Sequence, residues 1–234
     1  MEVGCSCIVP FYNEGDRVIR VLSELIRVKN IDEIICVDDG STDNALKRIK
    51  KQYPQAILLK HQQNQGKSEA IATGLKKTKF SNIILIDADL RGLKKEEIIT
   101  AIEIFIKQRD IDMLLLKRVN SILITKLVRS DVLHTGERLL RKKDLLKVLK
   151  LKPTGFEIEV AINRYMRVNN KNVKWFPISA LSTFKVHKRG YIKGLISDLK
   201  MSLGMFFYFG LNNYWRQFFY AATIEEAKPQ LVKF

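Results

Sequence analysis

The sequence predicts a mixed α/β fold, in which helices cover both faces of a mostly parallel central sheet and a helical C-terminal segment follows. Two observations predict it. In residues 1–116, short apolar runs alternate with stretches of helical spacing, and such alternation builds parallel sheets that are buried on both faces. The length of 234 residues and the hydrophobic fraction of 46% fit one domain with an appendage and exclude wholesale disorder.

The elements of the first half follow from local signals. Apolar residues recur at helical spacing from residue 16, Asp43 is suited to cap a second helix, and Gly66 precedes a third. Strands are predicted where short apolar runs end in polar turn residues. The predicted strands are Cys5–Val9, Ile31–Val37, Ala56–Leu59, Asn82–Ile86 and Met113–Leu116, and the predicted helices are Asp16–Val28, 43–51, Lys67–Thr78 and Lys95–Lys107.

The second half of the chain has a less regular pattern. Helices are predicted over Arg138–Lys150 and Gly155–Val168, and short strands over Val173–Ile178 and Leu181–Val186. A long helix or helix pair is predicted from Lys193 to about Ala221. We therefore divide the chain into a main domain of residues 1–190 and a helical, aromatic-rich appendage of residues 191–234.

Almost all of the excess positive charge lies in one stretch. The chain carries a net charge of +16, and residues 117–200 hold 20 basic and 6 acidic residues. Such a stretch suits nucleic acid, anionic lipid or a phosphorylated substrate. No nucleic-acid-binding module is recognisable, and the aromatic residues do not interleave with the basic run as a stacking surface requires. Nucleic acid is therefore not predicted as a partner, and nucleic-acid binding is kept only as an alternative function.

Cysteine use and hydropathy predict a cytoplasmic protein. The three cysteines cannot form a disulfide framework, and no signal peptide is recognised. The longest uncharged run has 15 residues, fewer than the roughly 20 that a membrane span needs. Residues 206–220 nevertheless contain nine of the 21 aromatic residues. We expect residues 196–220 to lie on the inner face of a membrane, with a homodimer interface or packing on the sheet as alternatives.

Polar side chains follow several predicted strands, and ligands of such sheets bind beyond the carboxyl ends of the strands. Asp87-Ala88-Asp89 offers two neighbouring carboxylates, hard ligands that suit Mg²⁺ or Mn²⁺ bridging to a diphosphate, although a helix-capping turn would use the same residues. Gly66 and Lys67 stand at a helix N-terminus, where backbone N–H groups and an ammonium bind phosphate. Asp38 and Asp39 begin a tight turn after a strand and are suited to accept hydrogen bonds from a base or ribose.

Four segments together resemble glycosyltransferase family 2, the nucleotide-sugar-dependent enzymes with a Rossmann-like fold. In chain order they are Ile8-Val9-Pro10-Phe11-Tyr12-Asn13-Glu14, Val37-Asp38-Asp39-Gly40-Ser41-Thr42-Asp43, Asn64-Gln65-Gly66-Lys67 and Asp87-Ala88-Asp89-Leu90. The match is looser through Gly136-Glu137-Arg138 and Gly155–Glu159. The chain looks most like the polyprenyl-phosphate hexosyltransferase branch. A nucleotidyltransferase is less compatible, because it would need a Gly-rich basic loop where Pro10–Glu14 stands.

The resemblance implies roles on the donor side. Pro10, Tyr12 and Glu14 would frame the nucleotide of a UDP- or GDP-sugar, Asp38 or Asp39 would bond its base, and Gly66 and Lys67 would lie near the pocket. Asp87 and Asp89, the DXD motif, would bind the divalent cation and the sugar diphosphate, with Asp89 essential for transfer. His187 would complete the metal site, as a C-terminal histidine does in many members of the family.

The acceptor side is predicted in two alternative forms. For a hydroxyl acceptor, Glu159 or Glu157 is the candidate general base, and a solvated or capping glutamate is the structural alternative. A phosphate acceptor needs no base but needs cations, for which Arg138, Arg141 and Arg189 are the candidates. Polyprenyl phosphate, or another membrane-associated acceptor, is the leading expectation. A small soluble phosphorylated acceptor is the alternative, because Arg91-Gly92-Leu93 replaces the turn common in the dolichyl-phosphate enzymes.

Overall fold

A computed structural model describes residues 2–118, 135–152, 157–182, 220–221 and 223–229 of the chain. These residues form an eight-stranded sheet, a two-stranded ribbon and the helices that cover the sheet. The strands are β1 (Glu2–Phe11), β2 (Glu33–Asp38), β3 (Ile57–Lys60), β4 (Phe80–Leu85), β5 (Leu90–Arg91), β6 (Met113–Arg118), β7 (Arg138–Arg141), β8 (Val173–Ile178), β9 (Leu181–Ser182) and β10 (Glu225–Glu226). The helices are α1 (Asp16–Leu25), α2 (Ala45–Gln52), α3 (Lys67–Lys77), α4 (Lys95–Lys107), α5 (Lys142–Leu149) and α6 (Glu157–Val168).

The sheet has the order β10-β8-β6-β7-β4-β1-β2-β3, and every neighbouring pair is parallel except the two that involve β7. The predicted mixed α/β fold with a mostly parallel sheet is thus confirmed. Successive strand residues alternate between two apolar cores. Val9 of β1 faces the core under α1, α2 and α4, whereas Ile8 faces the core under α3, α5 and α6. The sheet therefore carries helices on both faces.

The prediction of a helix over Arg138–Lys150 was wrong in its first turn. Arg138–Arg141 is the antiparallel strand β7, inserted between β4 and β6, and the helix α5 begins only at Lys142. Leu139 and Leu140 face opposite cores, as neighbouring residues of a buried strand must. Leucine has a high helix propensity, but pairing with two neighbouring strands outweighs that local preference.

The described end of the predicted appendage belongs to the sheet. Ala221, Ile224 and Ala227 are buried against the main domain, and β10 pairs with β8 in parallel. The boundary after residue 190 therefore does not separate all of the C-terminal residues from the main domain. Residues 183–219, with most of the aromatic segment, lie outside the described residues. In the described part of the chain, none of the helices has the length and apolar character that a membrane span requires.

Candidate active site

Loops at the carboxyl ends of the parallel strands build the candidate site. Phe11 of β1 pairs with Asp38 of β2, and β4 ends next to β1, so the segments that follow these strands lie at one edge of the sheet. The loops also bond to each other. Asn13 accepts hydrogen bonds from the backbone N–H groups of Thr42 (2.9 Å) and Asp43 (3.3 Å). Three of the predicted motifs thus meet at this edge.

Lys67 is the central cation of the site. Its Nζ donates hydrogen bonds to Asp87 Oδ1 and to Glu159 Oε1, both at 2.6 Å. The Lys67 and Asp87 side chains are 19% and 27% exposed, and that of Glu159 is 8% exposed. Burial alone would lower the pKa of Lys67, but attraction by the two carboxylates and their hydrogen bonds raises it above its ordinary value. Burial likewise opposes ionisation of Asp87, yet Lys67 holds the pKa of Asp87 below its ordinary value.

This ion triad gives Glu159 a different surrounding from that of a general base. Its Oε1 accepts the Lys67 bond, and its Oε2 is buried without a hydrogen-bond partner among the described residues. A base must reach a proton on the acceptor, whereas Glu159 is almost fully buried and bonded to a cation. The contacts of Glu159 therefore favour a role in holding Lys67 between two acids. The side chain of Glu157, the other candidate, lies outside the described part of the structure.

Asp87 and Asp89 lie in the turn that follows β4, and both are partly buried. Because residues 88–89 form this turn, strand alternation does not set the directions of the two carboxylates. Gly136, two residues before β7, packs directly against Asp87. A Cβ atom on Gly136 would lie 2.6 Å from Asp87 Oδ1 and closer still to Oδ2. Only glycine at position 136 leaves Asp87 in its present position.

Replacing Gly136 by alanine should therefore impair the site by displacing Asp87. For the sugar transfer that the sequence resemblance implies, we expect Gly136→Ala to lower kcat/KM by about 10²-fold, the cost of a misplaced group in a catalytic site. Gly74→Ala is the control, because its Cβ would crowd the Ile8 side chain in the core at 2.8 Å and would meet no atom of Asp87 within 4 Å among its three nearest neighbours. Thermal melting and kinetics of both variants check this. The role of Gly136 in leaving room for Asp87 would be refuted if Gly136→Ala kept a normal kcat/KM. It would also be refuted if Gly136→Ala and Gly74→Ala differed only in Tm.

A second layer of charge, which the sequence did not predict, lies beside Asp87. Glu137 is fully buried, and its Oε2 accepts a hydrogen bond from Thr135 (2.6 Å) and lies 3.9 Å from Arg118 Nε. Burial raises the pKa of Glu137, and Arg118 partly opposes that rise. The only signal in the sequence was the position of Glu137 in the looser Gly136-Glu137-Arg138 match. Glu137 is buried because the chain continues into the central strand β7, a segment for which the sequence pattern predicts a helix.

Of the three predicted acceptor-binding cations, the structure describes two, and it places them apart. Arg138 is fully buried and donates to the Glu159 carbonyl oxygen (3.3 Å) and to Asn163 Oδ1 (3.2 Å), so it braces α6 next to the triad. Arg141 lies at the opposite end of β7, where it donates to Asn82 Oδ1 (2.5 Å) and to the Ile111 carbonyl oxygen (3.1 Å). The structure does not bring Arg141 to the triad. Arg189 and His187 lie outside the described residues.

Asp38 and Asp39 are both buried, and they differ in their hydrogen bonds. Asp38 Oδ1 accepts the Ser41 N–H (2.7 Å), while its Oδ2 is buried without a partner in the described structure. Asp39 accepts N–H groups from Gln65 (2.9 Å) and Gly66 (2.8 Å) and contacts His61 Nδ1 (2.8 Å). Asp39 thus holds the loop that leads into α3, and it sets the position from which Lys67 reaches Asp87.

The remaining donor-side candidates surround the end of β1. Pro10 lies within β1, Tyr12 is 43% exposed just after it, and Glu14 contacts Arg17 at 2.5 Å. A cleft of about 320 Å³ adjoins them. Its lining includes Asn13, Glu14, Arg17, Arg20, Asp43 and Arg91. An exposed ring beside charged and amide groups offers both stacking and hydrogen bonding to a nucleotide.

Carboxylate oxygens suit a divalent cation at this edge. In the described residues no three carboxylate, histidine or cysteine side chains form a ready-made metal centre. Mg²⁺ commonly binds through one or two carboxylates and completes its shell with phosphate oxygens and water. Asp87 and Asp89 are hard donors of this kind, partly buried and next to the cleft loops. The donor set therefore fits a cation that is shared with a diphosphate.

Comparison with known proteins bears on the family of the chain and on its fold. The family model for glycosyl transferase family 2 matches residues 6–122, half of the chain. Two curated relatives align over somewhat more than a third of the chain. An uncharacterized glycosyltransferase of Escherichia coli, YaiP, is 36% identical over 90 residues (37% of this chain, 23% of that protein). The dolichyl-phosphate beta-glucosyltransferase of Saccharomyces cerevisiae is 35% identical over 101 residues (38% of this chain, 30% of that protein). The chain thus matches less than a third of the length of these relatives.

A solved structure extends the likeness in fold beyond the region that these sequences align. The glucosyl-3-phosphoglycerate synthase of Mycobacterium tuberculosis, in complex with Mn²⁺, uridine diphosphate and phosphoglyceric acid, superposes with a TM-score of 0.63 at 16% sequence identity. The superposition covers 83% of this chain and 78% of that one. At this identity the likeness concerns the fold alone.

Proposed function

The chain belongs to glycosyl transferase family 2, and from this premise we propose that it transfers a sugar from a nucleotide diphosphate sugar to an acceptor with the help of Mg²⁺ or Mn²⁺. The observation that carries the proposal is the Lys67–Asp87–Glu159 triad beside Asp89, at the sheet edge where the nucleotide motifs meet. The triad holds one carboxylate of the DXD pair ionised and oriented. That is the state that a diphosphate-bound cation requires.

The chain's own residues supply binding, orientation and charge. Asp87 and Asp89 would hold the cation, which stabilises the negative charge of the leaving nucleoside diphosphate. The nucleotide would be held by Pro10, Tyr12 and Glu14, together with the loops that contain Asp38, Asp39 and Gly66. Lys67 and Arg118 place positive charge next to Asp87, where the leaving group develops its charge. The partial burial of this cluster strengthens these electrostatic effects, because little water screens them.

Two acceptor classes fit the site, and we propose a membrane-associated acceptor such as polyprenyl phosphate first. The strongly basic stretch of residues 117–200 and the yeast dolichyl-phosphate relative support it. A small soluble phosphorylated acceptor is the second candidate, because the M. tuberculosis synthase of similar fold binds phosphoglyceric acid. A phosphate acceptor needs cations rather than a base, in keeping with the buried, Lys67-bonded Glu159. The enzyme would act in the cytoplasm, peripherally on the inner face of a membrane, with the aromatic segment as a membrane contact or a dimer interface.

The donor specificity is tested by nucleotide binding and by product analysis. Thermal melting with UDP, GDP and other nucleotides, each with and without Mn²⁺, should show stabilisation by one nucleoside diphosphate that depends on the metal. Incubation with a panel of nucleotide sugars, and with either a short polyprenyl phosphate or phosphoglyceric acid, then identifies the product by mass. Metal-independent binding of every nucleotide, with no sugar transfer, would contradict the proposal.

The third metal ligand is tested separately. We propose that His187 completes the cation site, so His187→Ala should raise the Mn²⁺ concentration for half-maximal activity about tenfold or more and leave maximal activity largely recoverable. The Mn²⁺ concentration that allows a nucleoside diphosphate to raise Tm should shift in parallel. His134→Ala is the control for loss of a histidine. Unchanged metal dependence in both measurements would exclude His187 from the site.

A further inference from the structure

One helix of the described structure combines an outward basic stripe with exposed leucines. The exposed side chains of α5 and the residues after it follow at helical spacing. This α5 surface consists of Lys143, Leu146, Lys147, Lys150, Leu151 and Lys152. The leucines are unusual for a solvent-facing stripe: Leu146 is 41% and Leu151 is 69% exposed. Exposed leucines flanked by lysines are suited to a partner that is both apolar and anionic.

Within residues 142–152, no exposed acid opposes this positive charge. Residues 142–152 contain five lysines and one acidic residue, Asp144. Asp144 is buried, accepts a hydrogen bond from Tyr165 (2.9 Å) and lies 3.5 Å from Lys171, so its charge faces the interior. Lys142 bonds to the Thr78 carbonyl oxygen (2.6 Å). Four lysines of the stripe thus face solvent.

The path of the chain brings this surface toward the candidate active site. Strand β7 runs from Arg138, opposite Leu85, to Arg141, opposite Asn82, and so ends at the edge of the sheet remote from Asp87. Helix α5 then leads back, because α6 begins at the carboxyl edge, where Glu159 bonds to Lys67. Leu151 and Lys152 follow the end of α5 and precede α6. The leucine-containing end of the surface is therefore directed toward the edge that holds the triad.

We infer that the α5 surface docks the enzyme on an anionic lipid membrane, with Leu151 entering the headgroup boundary and the four lysines facing the lipid phosphates. Exposed leucines favour a lipid over a nucleic acid, because phosphate contacts alone do not use apolar side chains and no aromatic ring stands in residues 142–152 to stack on a base. The inference deepens the proposed function, on which it rests, by locating the acceptor in the bilayer next to the site. It concerns a surface distinct from the aromatic segment of residues 196–220.

Vesicle binding tests the inference without any sugar donor. Full-length protein is co-sedimented with vesicles of phosphatidylcholine alone or mixed with phosphatidylglycerol, at low and high salt. We expect binding only to the anionic vesicles, weakened by salt. A lysine near an anionic leaflet contributes roughly fivefold to partitioning, so Lys147→Glu/Lys150→Glu should weaken binding by at least about 20-fold. Leu151→Ser should weaken it by about tenfold, as expected for a leucine that no longer inserts.

The matched control makes the same charge change on the other face of the sheet. Lys50 and Lys51 are exposed at the end of α2, which covers the opposite core from α5, so Lys50→Glu/Lys51→Glu should bind vesicles like the wild type. Thermal melting of every variant verifies folding, and Leu151→Ser alters no helix residue. Full-length protein that stays in the supernatant, an α5 variant that binds normally, or equal loss in the α2 control would overturn the inference. An α5 variant that loses binding to single-stranded RNA but still binds vesicles like the wild type would also overturn it.

If the docking inference fails, the proposed transfer can still hold. Sugar transfer from the best nucleotide sugar to a water-soluble phosphorylated acceptor is measured in the same variants. Normal transfer without vesicle binding rejects the membrane surface alone. Vesicle binding without transfer to any acceptor, lipid or soluble, rejects the proposed function and leaves the docking surface.

Discussion

Asp89→Ala is expected to abolish sugar transfer, by a factor of about 10³ or more, and Asp87→Ala to reduce it by about 10². A divalent cation stabilises the charge of the leaving diphosphate by several kcal/mol, and each 1.36 kcal/mol corresponds to a tenfold change in rate. Asp89 carries the larger expected effect because the resemblance to the family implies that it is essential for transfer, and because Asp87 already shares its Oδ1 with Lys67. The measurement is kcat/KM with the best nucleotide sugar over a range of Mn²⁺ concentrations.

The control for the loss of a carboxylate is Glu96→Ala. Glu96 lies in the first turn of α4 and is 70% exposed, so its removal should leave both rate and Tm close to wild type. The aspartate variants should also lose the Mn²⁺-dependent stabilisation by a nucleoside diphosphate, a readout that does not depend on turnover. If Asp89→Ala kept near wild-type transfer after treatment with a chelator, metal binding by the DXD motif would be rejected.

The elements of the first half were predictable because their signals are local. Parallel strands buried on both faces are continuous apolar runs, and the α3 start was visible from Gly66, whose backbone adopts φ = 94°. Topology alone predicts that the polar residues after β1, β2 and β4 lie at one edge of the sheet. Asn13 and its bonds to the 42–43 turn agree with that placement.

The features that were missed depend on contacts remote in sequence. Lys67 and Glu159 are 92 residues apart, and nothing near either residue predicts that an ammonium lies between two carboxylates. Strand β7 was read as helix because Leu139 and Leu140 suit either structure until two neighbouring strands are in place. The burial of Glu137 follows from β7 and was missed with it. Arg141 was proposed for the acceptor on charge alone, whereas the direction of β7 places it at the other edge.

Lys67→Ala should impair both activity and stability, because it leaves two partly buried carboxylates without their shared cation. Removing one partner of a buried ion pair costs about 3 kcal/mol at the lower end of the range, which corresponds to a Tm lower by about 6–12 °C for a chain of this size. Transfer should fall by about 10² or more, since Asp87 loses the group that keeps it ionised and in place. Lys77→Ala, an exposed lysine on the same helix, should change neither quantity.

The pH dependence of this stability loss identifies its cause. In the wild type, Lys67 lowers the pKa of Asp87. The stability that the paired Asp87 carboxylate contributes is therefore fully present above the pKa of aspartate in the unfolded chain, about 3.9, and is lost as pH falls through the lower pKa of Asp87 in the folded protein. Without Lys67, burial raises the pKa of Asp87, and the cost of keeping this carboxylate ionised grows as pH rises above about 4. The Tm difference between Lys67→Ala and wild type should therefore be larger near neutral pH than in weak acid. A difference independent of pH would mean that packing, not charge, explains the loss.

A double variant separates the two effects of Lys67. Lys67→Ala/Glu159→Gln removes one uncompensated acid together with the cation, so it should recover a large part of the Tm lost by Lys67→Ala. It should not recover transfer, because Asp87 still lacks its cation. The coupling energy of this cycle measures the Lys67–Glu159 pair directly. If Glu159 were instead the general base, Glu159→Gln alone would remove the fall in rate toward acid pH that protonation of the base causes, and would lower kcat by about 10²-fold or more. Under the positioning role that the geometry favours, Glu159→Gln lowers activity modestly and leaves the shape of the profile unchanged.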